Sequence, residues 1–127
     1  MSWFTTERGR LRLIAERAVM SQHFPQFVLM KGLNGQLMWR GVLEPEDGRQ
    51  FLVSAELPEH YPGLPPALHV LQPEIIQGCP HRYTNGSLCV HRKNWVPASG
   101  TVVQAIADAA DWLRHYRGWR QTGEWRA

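Results

Sequence analysis

The sequence predicts an α+β domain: an N-terminal helix, a four-stranded antiparallel β-meander, a long loop and a C-terminal helix. Three observations predict it. Apolar residues recur at helical spacing near both ends of the chain. Between those ends lie short strand-like segments punctuated by Gly, Pro, Asn and Asp. Residues 72–100, rich in Pro and Gly, carry no sustained period.

The 127 residues suit a single domain spanning 1–127, with 43% hydrophobic and 20% charged residues giving an ordinary globular composition. A membrane span needs about 20 consecutive apolar residues, and the aliphatic and aromatic runs here, such as Phe27-Val28-Leu29-Met30, are far shorter. Arg8, Arg10, Arg12, Glu16 and Arg17 interrupt the first 20 residues, so a secretory leader is not expected. Two cysteines, Cys79 and Cys89, do not make a disulfide scaffold. A reduced, cytoplasmic protein is the expectation, with no membrane partner.

Thr5 or Thr6 can cap the first helix, and Leu11, Ile14, Ala15, Ala18 and Val19 form its apolar stripe, expected to face the core. The helix should stop before Pro25. Residues 26–31 read as a strand, 32–35 as a turn and 36–42 as a second strand. A turn over 44–48 leads to a third strand at 50–57, with Phe51, Val53 and Ala55 on one face. In Tyr61-Pro62-Gly63-Leu64-Pro65-Pro66 the prolines fix the backbone and remove ladder donors, so the segment must be a rigid connection. A short fourth strand follows at 67–71. The second helix starts at a Ser99 or Thr101 cap, buries Val102, Ile106, Ala109, Leu113 and Tyr116, and ends with Gly118 at its C′ position. Trp119 and Trp125 predict that the tail packs back on the domain.

The net charge of +3 is too small to imply nucleic acid, and no nucleic-acid motif is present. Its distribution is uneven. Residues 7–17 and 112–127 are basic, whereas 44–59 are acidic. The basic first helix could steer an acidic protein partner or simply be solvated.

The chemistry concentrates in Cys79-Pro80-His81-Arg82-Tyr83-Thr84-Asn85-Gly86-Ser87-Leu88-Cys89-Val90-His91. Three readings compete. Cys89 can be a nucleophile, its thiolate favoured by Arg82, Arg92 and Lys93, with His81 and Asn85 as oxyanion donors. Cys79, His81, Cys89 and His91 could hold zinc, although C-x-H is tighter than the usual ligand spacing. A Cys79–Cys89 disulfide fits the loop length but not a reducing compartment.

Three motifs in order then carry a resemblance. Tyr61-Pro62-x-x-Pro65-Pro66, Asn85-Gly86-Ser87-Leu88-Cys89 and Trp95-Val96-Pro97-Ala98 resemble those of the ubiquitin-conjugating (UBC-like) family over residues 5–117. The resemblance implies that Cys89 carries the carboxy terminus of a ubiquitin-like protein as a thioester, loaded by an activating enzyme and passed to an acceptor amine. No metal or cofactor is implied. It also implies that Tyr61, Pro65, Pro66, Trp95 and Pro97 support the active-site loop. The first helix, with Arg8, Arg10, Arg12 and Arg17, would contact the activating-enzyme-like partner. Eukaryotic members carry a His-Pro-Asn motif whose asparagine stabilises the oxyanion; His81 stands where that asparagine would fall, eight residues before Cys89. Asn85 is a helper or a turn former. The histidine and the two-tryptophan tail are similar to bacterial members encoded beside antiviral signalling genes of the CBASS type. In some of these the cargo is a cGAS-like nucleotidyltransferase, in others a separate ubiquitin-like protein. A binding module of the same fold, without catalysis, is the alternative.

Overall fold

The computed structural model describes residues 2–46, 48–90 and 95–126. A single 3-10 turn, Trp3–Thr5, leads into helix α1, Glu7–His23. The Thr6 side chain accepts from the Gly9 amide and caps that helix. Strands β1 (Val28–Lys31), β2 (Leu37–Glu46), β3 (Arg49–Glu56) and β4 (Ala67–Gln72) form one antiparallel sheet in sequence order. The meander is therefore as the sequence predicts. Its register sets Trp39 opposite both Leu29 and Ala55, and Ala55 opposite Leu68. Helix α2, Val102–Thr122, starts at the Thr101 cap and crosses the sheet. Phe51, Val53 and Ala55 on β3 are buried beneath Ile106, Ala109, Leu113 and Tyr116, the core face expected of each element.

Three expectations are corrected. The apolar stripe of α1 does not face the core: Leu11 is 62% exposed and Ile14 65%, and Ala15, Ala18 and Val19 are exposed too. The buried residues of this helix are Gly9, Glu16 and Met20. The reason is electrostatic: the carboxylate of Glu16 is inside because Arg12, Tyr61 and the first turn of α2 all supply donors to it. Gly9 permits the close approach, since a Cβ there would lie 1.8 Å from the Trp3 carbonyl oxygen.

Strand β2 also runs past the expected turn. It continues through Pro45 and Glu46, with an irregularity between Leu43 and Glu46. Glu46 is held there by Arg117 and, at 2.9 Å, by Arg120. The acidic middle of the chain thus meets the basic last helix.

Gly118 is not the cap of α2. The helix continues to Thr122 and ends at Gly123, whose φ of 79° is left-handed and whose amide donates to the Trp119 carbonyl. The tail folds back as expected, with Trp125 5.1 Å from Trp112 between ring centroids. Among the described residues no helix is long and apolar enough to cross a membrane.

Candidate active site

Residues 81–89 form a miniature hairpin. Asn85 and Gly86 lie in its turn, where Gly86 takes a φ of 88°. Asn85 Oδ1 accepts both from the Ser87 amide at 2.9 Å and from the Ser87 hydroxyl at 2.8 Å. Across the hairpin the Tyr83 amide donates to Ser87, Arg82 bridges Leu88, and the Cys89 amide donates to the His81 carbonyl at 2.9 Å. This register sets His81 directly opposite Cys89. The Leu88 amide donates to the Leu68 carbonyl at 2.8 Å, and Leu88 is buried, so the hairpin is anchored to β4.

The other strand of the hairpin is fixed by α2. Trp112 Nε1 donates to the same His81 carbonyl at 3.0 Å. Four residues along the helix, the Tyr116 hydroxyl accepts from the Ile76 amide at 3.0 Å. One face of α2 therefore holds both ends of the segment that leads into the site. His81 itself has φ 62°, a left-handed conformation that costs a non-glycine residue about 1–2 kcal/mol. Its two carbonyl bonds counter that cost, and its imidazole lies 5.0 Å from the Trp125 indole.

Cys89 is half-buried, with a free thiol. Cys79 is also free, and burial pushes its thiol up to about 11, Arg82 pulling weakly the other way. At neutral pH Cys79 is therefore protonated and a poor nucleophile. Among the described residues no group of three or more His, Cys, Asp or Glu is placed to hold a metal. His91, Arg92 and Lys93, invoked as a zinc ligand and as thiolate-favouring cations, lie outside the described residues.

The proline-rich loop is braced by contacts of Tyr61 and Trp95. Tyr61 is buried, and its hydroxyl donates to Glu16 Oε2 at 2.6 Å. Burial and then the Glu16 carboxylate raise its pKa, so the proton stays on Tyr61. Trp95 Nε1 donates to the Pro62 carbonyl at 2.8 Å, and the Trp95 ring lies over Gly100, where a Cβ would come within 2.6 Å of it. Pro66 is buried, Pro65 half-buried and Pro97 exposed.

The four arginines of the first helix divide. Arg8, Arg10 and Arg17 are exposed. Arg12 turns inward, with Nε 3.1 Å from Glu16 and a terminal nitrogen donating to the Gly100 carbonyl. Glu16 and Trp112 are structural residues that sequence reasoning does not single out, and Trp125, expected only to pack back on the domain, reaches His81. A usable signal exists for Glu16: Gly9, Arg12, Glu16 and Met20 recur at spacings of three and four, and a glycine inside a helix marks close approach.

A family model described as type II CBASS E2 protein matches residues 16–127, which include the whole hairpin, its cysteine and the tail. The chain belongs to the type II CBASS E2 family. The fold agrees with solved structures of ubiquitin-conjugating type. Human ubiquitin-conjugating enzyme E2 G1 superposes with a TM-score of 0.61 at 21% identity, covering 86% of this chain and 97% of that one. The Vps23 UEV domain, solved in complex with ubiquitin, gives 0.60 at 16% identity, covering 85% and 84%. The yeast Vps23 UEV domain with a Vps27 PSDP peptide gives 0.60 at 16%, covering 84% and 81%. At these identities the likeness is one of fold. No curated protein matches the chain. Membership of this E2 family assigns the chain a ubiquitin-conjugation-like role in CBASS.

Proposed function

We propose that Cys89 carries the C-terminal acyl group of a ubiquitin-like protein, or of a cGAS-like nucleotidyltransferase, as a thioester and passes it to an acceptor amine in bacterial antiphage defence. The observation that carries this reading is the hairpin register. It sets His81 directly across from a half-buried Cys89 whose own amide is pinned by the His81 carbonyl.

The chemistry balances without a cofactor. The Cys89 thiolate attacks the carbonyl carbon of an activated C-terminus, held as a thioester on an activating-enzyme-like protein. The tetrahedral intermediate collapses and expels that partner's thiolate. An acceptor amine then attacks the Cys89 thioester, loses a proton to solvent or a nearby base, and expels the Cys89 thiolate as the amide forms. Each step develops negative charge on the carbonyl oxygen, and a donor on His81 would stabilise it. The fixed backbone of Cys89 limits where the reacting sulfur can lie, so less orientation is left to be found in the transition state. Asn85 acts through the turn: its oxygen is engaged by Ser87. Tyr61, Pro65, Pro66, Trp95 and Pro97 keep the facing loop rigid. Arg8, Arg10 and Arg17, beside the exposed Leu11 and Ile14, form the contact for the activating-enzyme-like partner.

The test is intact mass after co-expression with the neighbouring genes of the native operon. The expected result is an adduct that survives a phosphine reductant, is cleaved by hydroxylamine and is absent in Cys89→Ala. An adduct that persists in that variant would overturn the proposal.

A second reading is favoured by the UEV structures, solved as complexes with ubiquitin and with a peptide. On that reading the domain binds a ubiquitin-like partner without forming a bond to it. It expects Cys89 to alkylate as slowly as the desolvated Cys79 and Cys89→Ala to retain every partner interaction.

A further inference from the structure

The geometry points to Trp125 as a positioning residue for the site, restraining the imidazole of His81, the residue across the hairpin from Cys89. This inference rests on the thioester reading and adds to it a residue at the far end of the chain.

The tail is aimed by its own residues. Gly123 stops α2 in the left-handed conformation. The Thr122 hydroxyl donates to the Gly118 carbonyl at 2.8 Å and accepts from the Glu124 amide at 3.1 Å, which turns the chain back toward the helix. Arg126 pairs with Glu124 at 3.1 Å on the outer side of that turn. Trp125 then lands in a cluster of three rings: Trp112 at 5.1 Å, His115 at 5.9 Å and His81 at 5.0 Å between centroids. Within that cluster Trp112 already holds the His81 carbonyl.

The division of labour follows. Two N–H donors fix the His81 backbone in a costly conformation, but neither restrains its side chain. His81 is exposed, and the Trp125 indole stands against its imidazole. A planar ring against the imidazole removes rotamer freedom that would otherwise be lost in each transition state. Trp125 itself need not touch cargo or acceptor.

The test has a partner-free arm and a transfer arm. In the first, the His81 imidazole resonances are followed by NMR in the full chain and in Trp125→Ala and Trp125→Phe. The indole ring current shifts those resonances, so Trp125→Ala should move them toward free-histidine positions while Trp125→Phe retains part of the shift. In the second, single-turnover discharge of the Cys89 thioester is measured with the co-expressed cargo. Trp125→Ala should slow discharge by about tenfold, less than loss of a whole oxyanion donor, with KM for the acceptor unchanged and Trp125→Phe recovering most of the rate. His81→Ala combined with Trp125→Ala should be no slower than His81→Ala alone. An unmoved His81 spectrum, or an additive double variant, would overturn the inference. If Cys89→Ala still transfers cargo, the thioester reading fails instead, and the NMR arm still decides the contact.

Discussion

Glu16 Oε1 accepts the Val102 amide at 2.7 Å, so a carboxylate on the first helix occupies the N-terminus of the last. The other oxygen accepts from Tyr61 and from Arg12. A single side chain therefore joins α1, the proline-rich loop and α2, with the helix dipole of α2 favouring its charge.

Glu16→Ala leaves three buried or half-buried donors without their acceptor and should lower unfolding free energy by about 3 kcal/mol. Arg12→Ala should cost less, about 1–2 kcal/mol, because its guanidinium is partly in solvent. Arg8→Ala, Arg10→Ala and Arg17→Ala should each stay within about 0.5 kcal/mol. Urea titration of the set checks this. A Glu16→Ala loss below that of the exposed arginines would remove the keystone role.

The glycines of the helices should respond with opposite signs. Gly118 lies inside α2, and a Cβ added there would meet nothing within 4 Å, so Gly118→Ala should stabilise by about 0.5–1 kcal/mol through helix propensity. Gly123→Ala should cost about 1 kcal/mol, since its φ is 79°. Gly9→Ala gains the same propensity as Gly118→Ala, yet its Cβ would collide with the Trp3 backbone, so a net loss is expected. Thermal melts of the three variants test the assignment of Gly123 as the cap.

Asn85 is separated into its two roles by an isosteric change. Asn85→Asp keeps the oxygen that Ser87 bonds and removes the amide donor. If the residue serves the turn, Asn85→Asp should retain stability and discharge rate, whereas Asn85→Ala should lose about 1 kcal/mol. A large rate loss in Asn85→Asp at unchanged stability would restore the amide as an oxyanion donor.

Cys79 makes a pH prediction. Its thiol is raised from an ordinary 9.0 to about 11, chiefly by burial, so the folded state favours the neutral form. The stability this supplies is fully present below pH 9 and is lost as pH rises through about 11. In Cys89→Ala protein, pulse alkylation of Cys79 should keep rising by about tenfold per pH unit between pH 9 and about 11. In urea the curve should level off near 9. A plateau near 9 in the folded protein would show that the thiol is not desolvated.

Most of the strand plan was legible because alternation and turn residues are local signals. Phe51, Val53 and Ala55 declare one face of β3 by period alone, and all three are buried. The apolar period of α1 was equally clear but pointed to the wrong face. Leu11 and Ile14 lie in solvent because which face of a helix is covered depends on what packs against it. For α1 that contact joins a polar cluster of Arg12, Glu16 and Tyr61 to buried Met20. The end of α2 was misplaced at Gly118 because a glycine signals a stop only where the chain needs a left-handed residue, and that place is Gly123.

The sequence by itself determined the α+β order, the hydrophobic faces of the sheet and α2, and the short run from His81 to Cys89 that holds the chemistry. All of these depend on neighbours in the chain. Only the tertiary structure decided that Glu16 is buried, that Trp112 and Trp125 reach His81, and that Arg12 parts company with the other arginines. Those contacts join residues 31 to 88 positions apart, and no local period encodes a partner at such a distance.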